Sequence, residues 1–153
     1  MVNIVLVNPE IPHNTGAIGR LALATDATLH LIEPLGFDIS DKAVKRSGLD
    51  YWKDIKLKKW ISWKAFENSL TDDARLFMLT TKSTKPHWDA KFEKDDYLVF
   101  GRETKGLDAA LIAQHRELAF RIPMVEGSTR SLNLATSVGI VLYEAFRQIN
   151  SAQ

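Results

Sequence analysis

The chain contains no cysteine, and this absence excludes disulfide bonds, zinc sites with thiolate ligands and a cysteine nucleophile. No apolar run approaches the roughly 20 residues that a helix needs to cross a bilayer. The start of the chain, Met-Val-Asn-Ile-Val-Leu-Val, lacks the basic residues and the cleavage site of a signal peptide. The histidines are too scattered to suggest a metal-binding pair. Together these absences predict a cytoplasmic protein without a membrane segment or a metal.

What is present is typical of a globular protein. Of the 153 residues, 45% are hydrophobic and 25% are charged. A chain of this length can bury a substantial core, and its sequence shows no internal repeat, low-complexity segment or linker. We therefore expect a single domain over residues 1–153.

Positive charge is concentrated between Asp41 and Lys64, although the whole chain has a net charge of only +1. This segment carries a local charge of +5, with four aromatic residues between the charges: Tyr51, Trp52, Trp60 and Trp63. Basic side chains beside exposed aromatics suit a phosphate backbone and unstacked bases. The alternative is a solvated basic face with its tryptophans in the core, and this alternative suits the tryptophans slightly better than the charges.

Apolar runs bounded by turn residues predict six strands, at residues 2–7, 28–33, 55–60, 76–79, 97–100 and 118–122. Helical patterns separate them. They begin after Gly16, at Ser40 or Asp41 (ending near Arg46), after Ser62 (through Leu70), after Asp108 (to about His115) and near Leu132. Strands that are apolar throughout and alternate with helices indicate an α/β fold with a parallel sheet covered on both faces.

The last helix has the clearest pattern in the chain. Apolar residues recur at steps of three and four, at Leu132, Ala135, Val138, Leu142, Ala145, Phe146 and Ile149. Ser, Thr and Gly are frequent between the last strand and this helix. Unpaired N–H groups at such a helix start can receive a ligand. The simpler alternative is that Ser128 or Ser131 is only an N-cap.

Four predicted strand ends lead into polar segments, at residues 8–16, 80–83, 101–106 and 123–133. In parallel sheets, ligands bind beyond the carboxyl ends of the strands, so these segments suggest a shared site. Known phosphate motifs do not account for them. Gly101 and Gly106 have the spacing of P-loop glycines, but Leu107 and Asp108 follow where Lys and Ser or Thr are required. No G-x-G-x-x-G follows the first strand, and no G-x-S-x-G is present.

Three segments of the chain resemble the three motifs of the SPOUT class of RNA 2′-O-ribose methyltransferases. They are Pro-Glu-Ile-Pro-His-Asn-Thr-Gly at 9–16 with Arg20, Phe-Gly-Arg-Glu-Thr-Lys-Gly at 100–106, and Arg-Ile-Pro-Met at 121–124 through Ser-Leu-Asn at 131–133. Within the class, the chain is similar to the small methyltransferases of the tRNA wobble nucleotide, cytidine or uridine. The resemblance covers nearly the whole chain, and the three motifs in this order are highly specific.

The resemblance implies an α/β fold whose C-terminal segment forms a trefoil knot, and a homodimer. It also implies S-adenosylmethionine as the methyl donor, with S-adenosylhomocysteine as product and no metal. In the family, three knot loops hold this cofactor, largely through backbone groups. Matching positions in this chain are predicted to bind it: Leu79, Gly101, Ile122 and Ser131, with Met124 and Leu132 packing on the adenine or the methionine.

The resemblance further implies that Arg20 acts on the ribose 2′-hydroxyl. A guanidinium is a poor base, so we expect Arg20 to clamp the adjacent phosphate or to stabilise the developing alkoxide. Asn14 and Asn133 are expected to orient the ribose and the loops, and Glu103 to hold either Arg20 or the cofactor loop. For the tRNA anticodon stem-loop, the predicted contacts are Arg20, Lys42, Arg46 and Tyr143, although a core Tyr would look the same as Tyr143.

Two other functions stay open from the sequence. One keeps the fold but changes the target to ribosomal RNA or to a base atom. The other is an RNA-binding protein without catalysis, which predicts no affinity for S-adenosylmethionine.

Overall fold

The computed structural model describes residues 1–40, 42, 50–128 and 130–151. The strands are β1 (Asn3–Val7), β2 (Thr28–Ile32), β3 (Leu57–Trp60), β4 (Leu76–Leu79), β5 (Tyr97–Phe100) and β6 (Ala119–Phe120). The α-helices are α1 (Pro12–Thr25), α2 (Trp63–Asn68), α3 (Ala109–Gln114) and α4 (Leu134–Ser151). Single turns of 3-10 helix lie at Trp52–Asp54, His87–Asp89 and Arg116–Leu118.

The predicted elements are largely confirmed. The strands at 76–79 and 97–100 agree at both ends, and the other four strands agree within two residues at either end. Ser62 caps α2, since its hydroxyl oxygen accepts a hydrogen bond from the Ala65 N–H at 3.1 Å. The predicted helix ending near Arg46 lies outside the described residues except for Ser40 and Lys42. None of the helices in the described ranges has the length and apolarity that a membrane span requires.

The six described strands form one sheet in the order β3-β2-β1-β5-β4-β6, and every neighbouring pair is parallel. Near the middle of this order, Val5 of β1 lies between His30 of β2 and Val99 of β5. The predicted parallel sheet is therefore confirmed. Because all the strands run in one direction, their carboxyl ends share one edge of the sheet, where ligands bind in such folds.

Apolar side chains pack on both faces of the sheet. On one face, Ile4 packs in a cluster with Ile18 of α1 and Leu142 of α4. On the other face, Val5 packs in a cluster with Phe66 of α2. Neighbouring residues of a strand point to opposite faces, which explains why β1 is apolar at every central position. Each of these five side chains is fully buried, and such burial contributes about 1.5–3 kcal/mol per side chain.

Helix α1 begins at Pro12, whereas the sequence predicts a loop as far as Gly16. Proline suits the first position of a helix because its missing N–H would have no partner there. The N-cap residue, Ile11, makes no side-chain capping bond of its own. The predicted start is therefore wrong by about one turn, because the local sequence offers no capping side chain to mark it.

Helix α4 begins at Leu134, and its N-cap is Asn133 rather than Ser128 or Ser131. The Asn133 side-chain oxygen accepts a hydrogen bond from the Thr136 N–H at 3.2 Å. Leu132, which the apolar pattern includes in the helix, lies in the preceding loop and is 40% exposed. The serine N-cap interpretation is therefore wrong.

Strand β6 is flanked on both sides by the segment that follows β4. Toward β4, the Thr80 N–H donates to the Phe120 carbonyl oxygen at 2.9 Å. On the other side, the Arg121 N–H donates to the Lys85 carbonyl oxygen at 2.8 Å, and the Arg121 carbonyl oxygen accepts from the His87 N–H at 2.7 Å. Backbone groups of consecutive strand residues point to opposite sides, so the chain that leaves β4 passes around the end of β6.

The aromatic residues of the basic segment belong to the fold. Trp52 is buried, and Trp60 and Trp63 are half-buried. Trp60 stacks with His30 at 6.2 Å between ring centroids and donates its indole N–H to the His30 Nδ1 at 3.1 Å. This confirms the interpretation of the tryptophans as core residues. The lysines of β3, Lys58 and Lys59, are exposed on an edge strand of the described sheet, where charge also discourages pairing with another sheet.

Candidate active site

Strands β4, β5 and β6 end around one cavity of about 430 Å³. Cavities of roughly 300–1,000 Å³ hold small molecules and cofactors in proteins. All six residues that the sequence predicts for cofactor binding line this cavity: Leu79, Gly101, Ile122, Met124, Ser131 and Leu132. Three segments that are far apart in the sequence therefore meet at the carboxyl edge of the sheet.

Gly101 starts a tight turn that ends at Gly106. The Gly106 N–H donates to the Arg102 carbonyl oxygen at 2.9 Å, and Gly106 has a φ of +69°, which favours glycine. A Cβ atom on Gly101 would lie 2.1 Å from the Gly106 carbonyl carbon and 2.3 Å from the Leu107 nitrogen. No side chain fits at such distances. Glycine at position 101 thus allows the backbone of this turn to form the cavity wall.

Glu103 joins this turn to the start of α1. Its two carboxylate oxygens accept hydrogen bonds at 2.8 Å, one from the Glu10 N–H and the other from the Ile11 N–H. The second oxygen also accepts from the Asn14 side-chain nitrogen at 3.2 Å. Glu103 therefore satisfies backbone donors at the start of α1 and places a negative charge at the positive end of the helix. These bonds tie the turn of Glu103 to the start of α1, and no contact between Glu103 and Arg20 is found among the described residues.

Asn14 links all three motifs. Its side chain is only 6% exposed and lies between Glu103 and Asn133. The Asn14 nitrogen donates to Glu103, and its oxygen accepts from the Asn133 side-chain nitrogen at 3.0 Å. Asn133 in turn caps α4 through Thr136. A continuous chain of hydrogen bonds therefore connects the turn after β5 with the starts of α1 and α4, and Asn14 and Glu103 also line the cavity.

Arg20 does not line the cavity. It is exposed on α1, six residues after Asn14, and its guanidinium carbon lies 5.6 Å from the centre of the Tyr51 ring. The Tyr51 hydroxyl donates to the Gly16 carbonyl oxygen at 2.9 Å. Burial raises the pKa of Tyr51, and the charge of Arg20 opposes this effect. Tyr51 thus supports Arg20 from a fixed position beside α1.

Of the other residues predicted to contact RNA, Lys42 and Tyr143 also lie outside the cavity. Lys42 is exposed, and Arg46 lies outside the described residues. Tyr143 is 45% exposed on α4, and its ring contacts Phe146 at 5.7 Å between centroids. Its exposure rules out the alternative of a core tyrosine. The structure therefore gathers the predicted cofactor residues into one cavity but leaves Arg20, Lys42 and Tyr143 on the surface.

Several cavity residues are absent from the sequence prediction. Leu107 is buried behind the Gly101–Gly106 turn, and Ser137 lies in the first turn of α4. The Ser137 hydroxyl donates to the Asn133 carbonyl oxygen at 3.1 Å, so the four-residue spacing between them was an available signal. Leu107 offered no such signal. Within the described ranges, no cluster of three or more His, Asp or Glu side chains could hold a metal ion.

The chain was compared with known proteins. The model of the SpoU rRNA methylase family matches residues 1–143. The chain is 47% identical over 154 residues to the tRNA (cytidine(34)-2′-O)-methyltransferase of Yersinia pestis, with 97% of this chain and 94% of that protein covered. It is also 47% identical over 150 residues to the enzyme of the same name from Escherichia coli K12, with the same coverage.

Solved structures share the fold. One, described as giving insights into the 2-OH methylation of C/U34 on tRNA, matches with a TM-score of 0.91 and 42% identity, covering 100% of this chain and 98% of that one. The SpoU methyltransferase AviRb from Streptomyces viridochromogenes, solved in complex with AdoMet, matches with a TM-score of 0.78 and 27% identity, covering 95% of this chain and 57% of that one. By its sequence and its fold, the chain belongs to the SpoU rRNA methylase family.

Proposed function

We propose that this protein transfers a methyl group from S-adenosylmethionine to the ribose 2′-hydroxyl of the wobble nucleotide of tRNA, a cytidine or a modified uridine at position 34. The observation that carries the proposal is the convergence of three distant polar turns on one cavity. Relatives named tRNA (cytidine(34)-2′-O)-methyltransferase, 47% identical over almost the whole chain, support the choice of substrate. A tRNA substrate implies a cytoplasmic location, as the sequence analysis also predicts.

The residues of the cavity fit this cofactor. Leu79, Ile122 and Met124 supply apolar surface for a purine ring, and the turn after Gly101 exposes backbone groups for polar contacts. Ser131 and Leu132 also line the cavity. Gly101, where a Cβ atom would meet the Gly106 backbone, keeps this turn tight and leaves backbone as the wall of the cavity.

When bound, S-adenosylmethionine supplies an electrophilic methyl group, and the 2′-hydroxyl that accepts it must lose its proton. A guanidinium stays protonated, so Arg20 is a poor proton acceptor. We assign it a bidentate contact with the phosphate next to the target ribose, or stabilisation of the developing alkoxide. Its exposure above Tyr51 leaves the guanidinium accessible to such a group.

Asn14, Glu103 and Asn133 act in this proposal by fixing the geometry of the site. Holding reacting groups in position is a large part of any bimolecular transfer, and small displacements are costly. The hydrogen bonds that join these three side chains support this assignment. The tRNA anticodon stem-loop then lies over the exposed residues Arg20, Lys42 and Tyr143, together with Arg46.

We also propose a homodimer. Helices α1 and α4 pack against each other, and both carry exposed apolar side chains: Leu23 is 41% exposed, Ile140 37% and Tyr143 45%. Exposed apolar groups on adjacent helices favour burial against a partner. Sedimentation of the purified protein tests this assembly, and a monomer at micromolar concentration would refute it.

A trefoil knot and a single domain over residues 1–153 complete the proposal. The knot is supported by the hydrogen bonds that place β4 on one side of β6 and residues 85–87 on the other. The single domain is supported by the one sheet that contains every described strand. General folding rules disfavour knots, so this feature is a consequence of family membership rather than of simple strand pairing.

The test is to incubate the protein with labelled S-adenosylmethionine and total tRNA, and then to map the methylated nucleotide. We expect label on the 2′-oxygen of nucleotide 34. Label on a base, outside the anticodon loop, or only on ribosomal RNA offered in parallel would reject the proposed substrate. Binding of RNA without transfer of label would support the alternative of an RNA-binding protein without catalysis.

A further inference from the structure

Glu10 contacts the tip of the turn that forms the cavity wall. Both the backbone N–H and the hydroxyl of Thr104 donate to the same Glu10 carboxylate oxygen, at 3.0 Å and 2.8 Å. Thr104 lines the cavity, whereas Glu10 does not. Hydrogen bonds from Thr104 lower the pKa of the Glu10 carboxyl, so that the acceptor is ionised at neutral pH. Glu10 is therefore one step removed from a bound ligand.

The contact is one half of a reciprocal exchange. Glu10 accepts from Thr104 in the turn, while Glu103 of the same turn accepts from the backbone N–H groups of Glu10 and Ile11. The two carboxylates thus hold the two segments together from opposite directions. Glu103 accepts hydrogen bonds from backbone N–H groups at the start of α1, and the bonds from Thr104 to Glu10 fix the turn itself.

The segment that carries Glu10 is itself fixed. The Gly36 N–H donates to the Pro9 carbonyl oxygen at 2.9 Å. Glu10 packs so closely on Gly36 that a Cβ atom there would lie 2.8 Å from the Glu10 Cα. Glu10 therefore extends from a backbone that has little room to move, which suits a residue that positions another.

We infer that Glu10 is a positioning residue, which holds the cofactor-binding turn in its ligand-ready shape through Thr104. The inference rests on the proposed function, because it takes the cavity as the site of S-adenosylmethionine. Without the Glu10 carboxylate, both donors of Thr104 turn to water and the tip of the turn is free to move. Glu10 is half-buried and Thr104 is exposed, so the loss falls on ligand affinity rather than on folding.

The experiment is a double-mutant cycle with Glu10→Ala and Thr104→Val, in which calorimetry measures the dissociation constant of S-adenosylmethionine. We expect Glu10→Ala, which removes both bonds, to weaken binding about fivefold to tenfold. Thr104→Val keeps the bond from the backbone N–H and should weaken binding less, and the double variant should bind no more weakly than Glu10→Ala alone. Glu10→Gln keeps an oxygen acceptor and should recover most of the affinity. Thermal midpoints measured without ligand should stay close to that of the wild type.

Thr71→Val is the matched control. The Thr71 hydroxyl donates to the Asp73 carboxylate at 2.6 Å, an exposed contact between residues that do not line the cavity, and its loss should leave binding unchanged. If the wild type binds S-adenosylmethionine and the variants bind it equally well, or if the two effects simply add, the role of Glu10 is refuted. A fall in thermal midpoint without a loss of affinity also refutes it. A wild type that does not bind the ligand refutes the proposed function instead.

Discussion

Two turns of helix α1 show how differently the two halves of the site are built. In the first turn, Asn14 is 6% exposed and hydrogen-bonded to both Glu103 and Asn133. Six residues later, Arg20 is exposed and lies over the Tyr51 ring. The part of the site that we propose to bind the cofactor is thus preorganised within the chain, whereas the part that we propose to bind RNA presents charge on the surface. Substitutions in the first half should change cofactor affinity, and substitutions in the second should spare it.

The largest expected effect is that of Gly101→Val. A side chain at this position has no space, because the backbone of Gly106 lies 2.1 Å from the position of a Cβ atom. We expect calorimetry to show S-adenosylmethionine binding weakened more than about 100-fold, a loss of about 3 kcal/mol. Gly139→Ala is the control, since its Cβ atom would meet Leu21 at an ordinary 3.6 Å. Normal affinity of Gly101→Val would show that this turn does not form the cofactor site.

Arg20→Ala should separate the two halves most clearly. Loss of a charged contact made to the RNA should lower kcat/KM for tRNA by about 30–100-fold, or about 2–3 kcal/mol, with unchanged affinity for S-adenosylmethionine. Methyl transfer under varied tRNA concentration measures the first quantity, and calorimetry measures the second. Arg116→Ala removes an exposed arginine from the opposite edge of the sheet and should change neither. A loss of cofactor affinity in Arg20→Ala would contradict the separation.

Glu103→Gln tests whether the start of α1 depends on a distant carboxylate. The Gln amide has one oxygen for three donors, the N–H groups of Glu10 and Ile11 and the side chain of Asn14. Its NH₂ group would face one of these donors without an acceptor. We expect the free energy of unfolding to fall by about 2 kcal/mol, measured by urea denaturation. Glu117→Gln, a change at an exposed residue outside the cavity, should have little effect. Equal stability of the two variants would argue against the capping role.

His30, which does not line the cavity, should contribute strongly to the pH dependence of stability. His30 donates through Nε2 to the Asn3 side-chain oxygen at 2.9 Å, because its Nδ1 accepts from Trp60. Burial lowers the His30 pKa to about 4, whereas an unfolded histidine titrates near its usual 6.5. The unfolded chain therefore binds more protons between these values, and the contribution of His30 to stability is complete above pH 6.5 and lost as pH falls toward 4.

At pH 5.5 this linkage amounts to about 1.4 kcal/mol relative to pH 7.5. Urea denaturation at the two pH values should show a smaller difference in His30→Gln than in the wild type. His13→Gln, which changes an exposed histidine, should keep the wild-type difference. An undiminished difference in His30→Gln would assign the pH dependence to other groups.

The smallest effect is expected from substitutions of Asn133, which can separate its two contacts. Asn133→Ala removes both the cap of α4 and the bond to Asn14, and should cost about 1 kcal/mol of stability. Asn133→Asp keeps an oxygen for the Thr136 N–H but no longer donates to Asn14. The thermal midpoint of Asn133→Asp should therefore be close to that of the wild type. Calorimetry should show weaker cofactor binding for both variants. Full affinity in the Asp variant would make the bond to Asn14 irrelevant to the site.

The fold was predictable where the signal is local. Leu76–Leu79 and Tyr97–Phe100 are apolar at nearly every position and end at polar residues or glycine, so their limits can be read from the sequence. The start of α1 could not be read, because its cap, Glu103, is about 90 residues away in the chain. The cap of α4 was misassigned for a different reason: several of the residues before the helix can cap, and only the geometry selects Asn133.

The site shows the same division. Motif resemblance gathers Leu79, Gly101 and Ile122, and the common edge of a parallel sheet explains why they meet. The exchange between Glu10 and Thr104 could not be anticipated, since a carboxylate before a helix has many possible partners. Arg20 illustrates a further limit, because a motif position does not reveal which surface of a helix faces the cavity.

Hydrogen exchange measured by mass spectrometry tests most directly whether the cofactor and the RNA bind to different parts of the site. The wild-type protein is measured alone, with S-adenosylmethionine, and with tRNA. We predict that S-adenosylmethionine protects peptides covering residues 79–83, 101–107 and 122–134 and leaves the middle of α1 unchanged. Protection around Arg20 should appear only when tRNA is added. Cofactor-induced protection at β3 or around Arg20, with none in the three turns, would contradict the account.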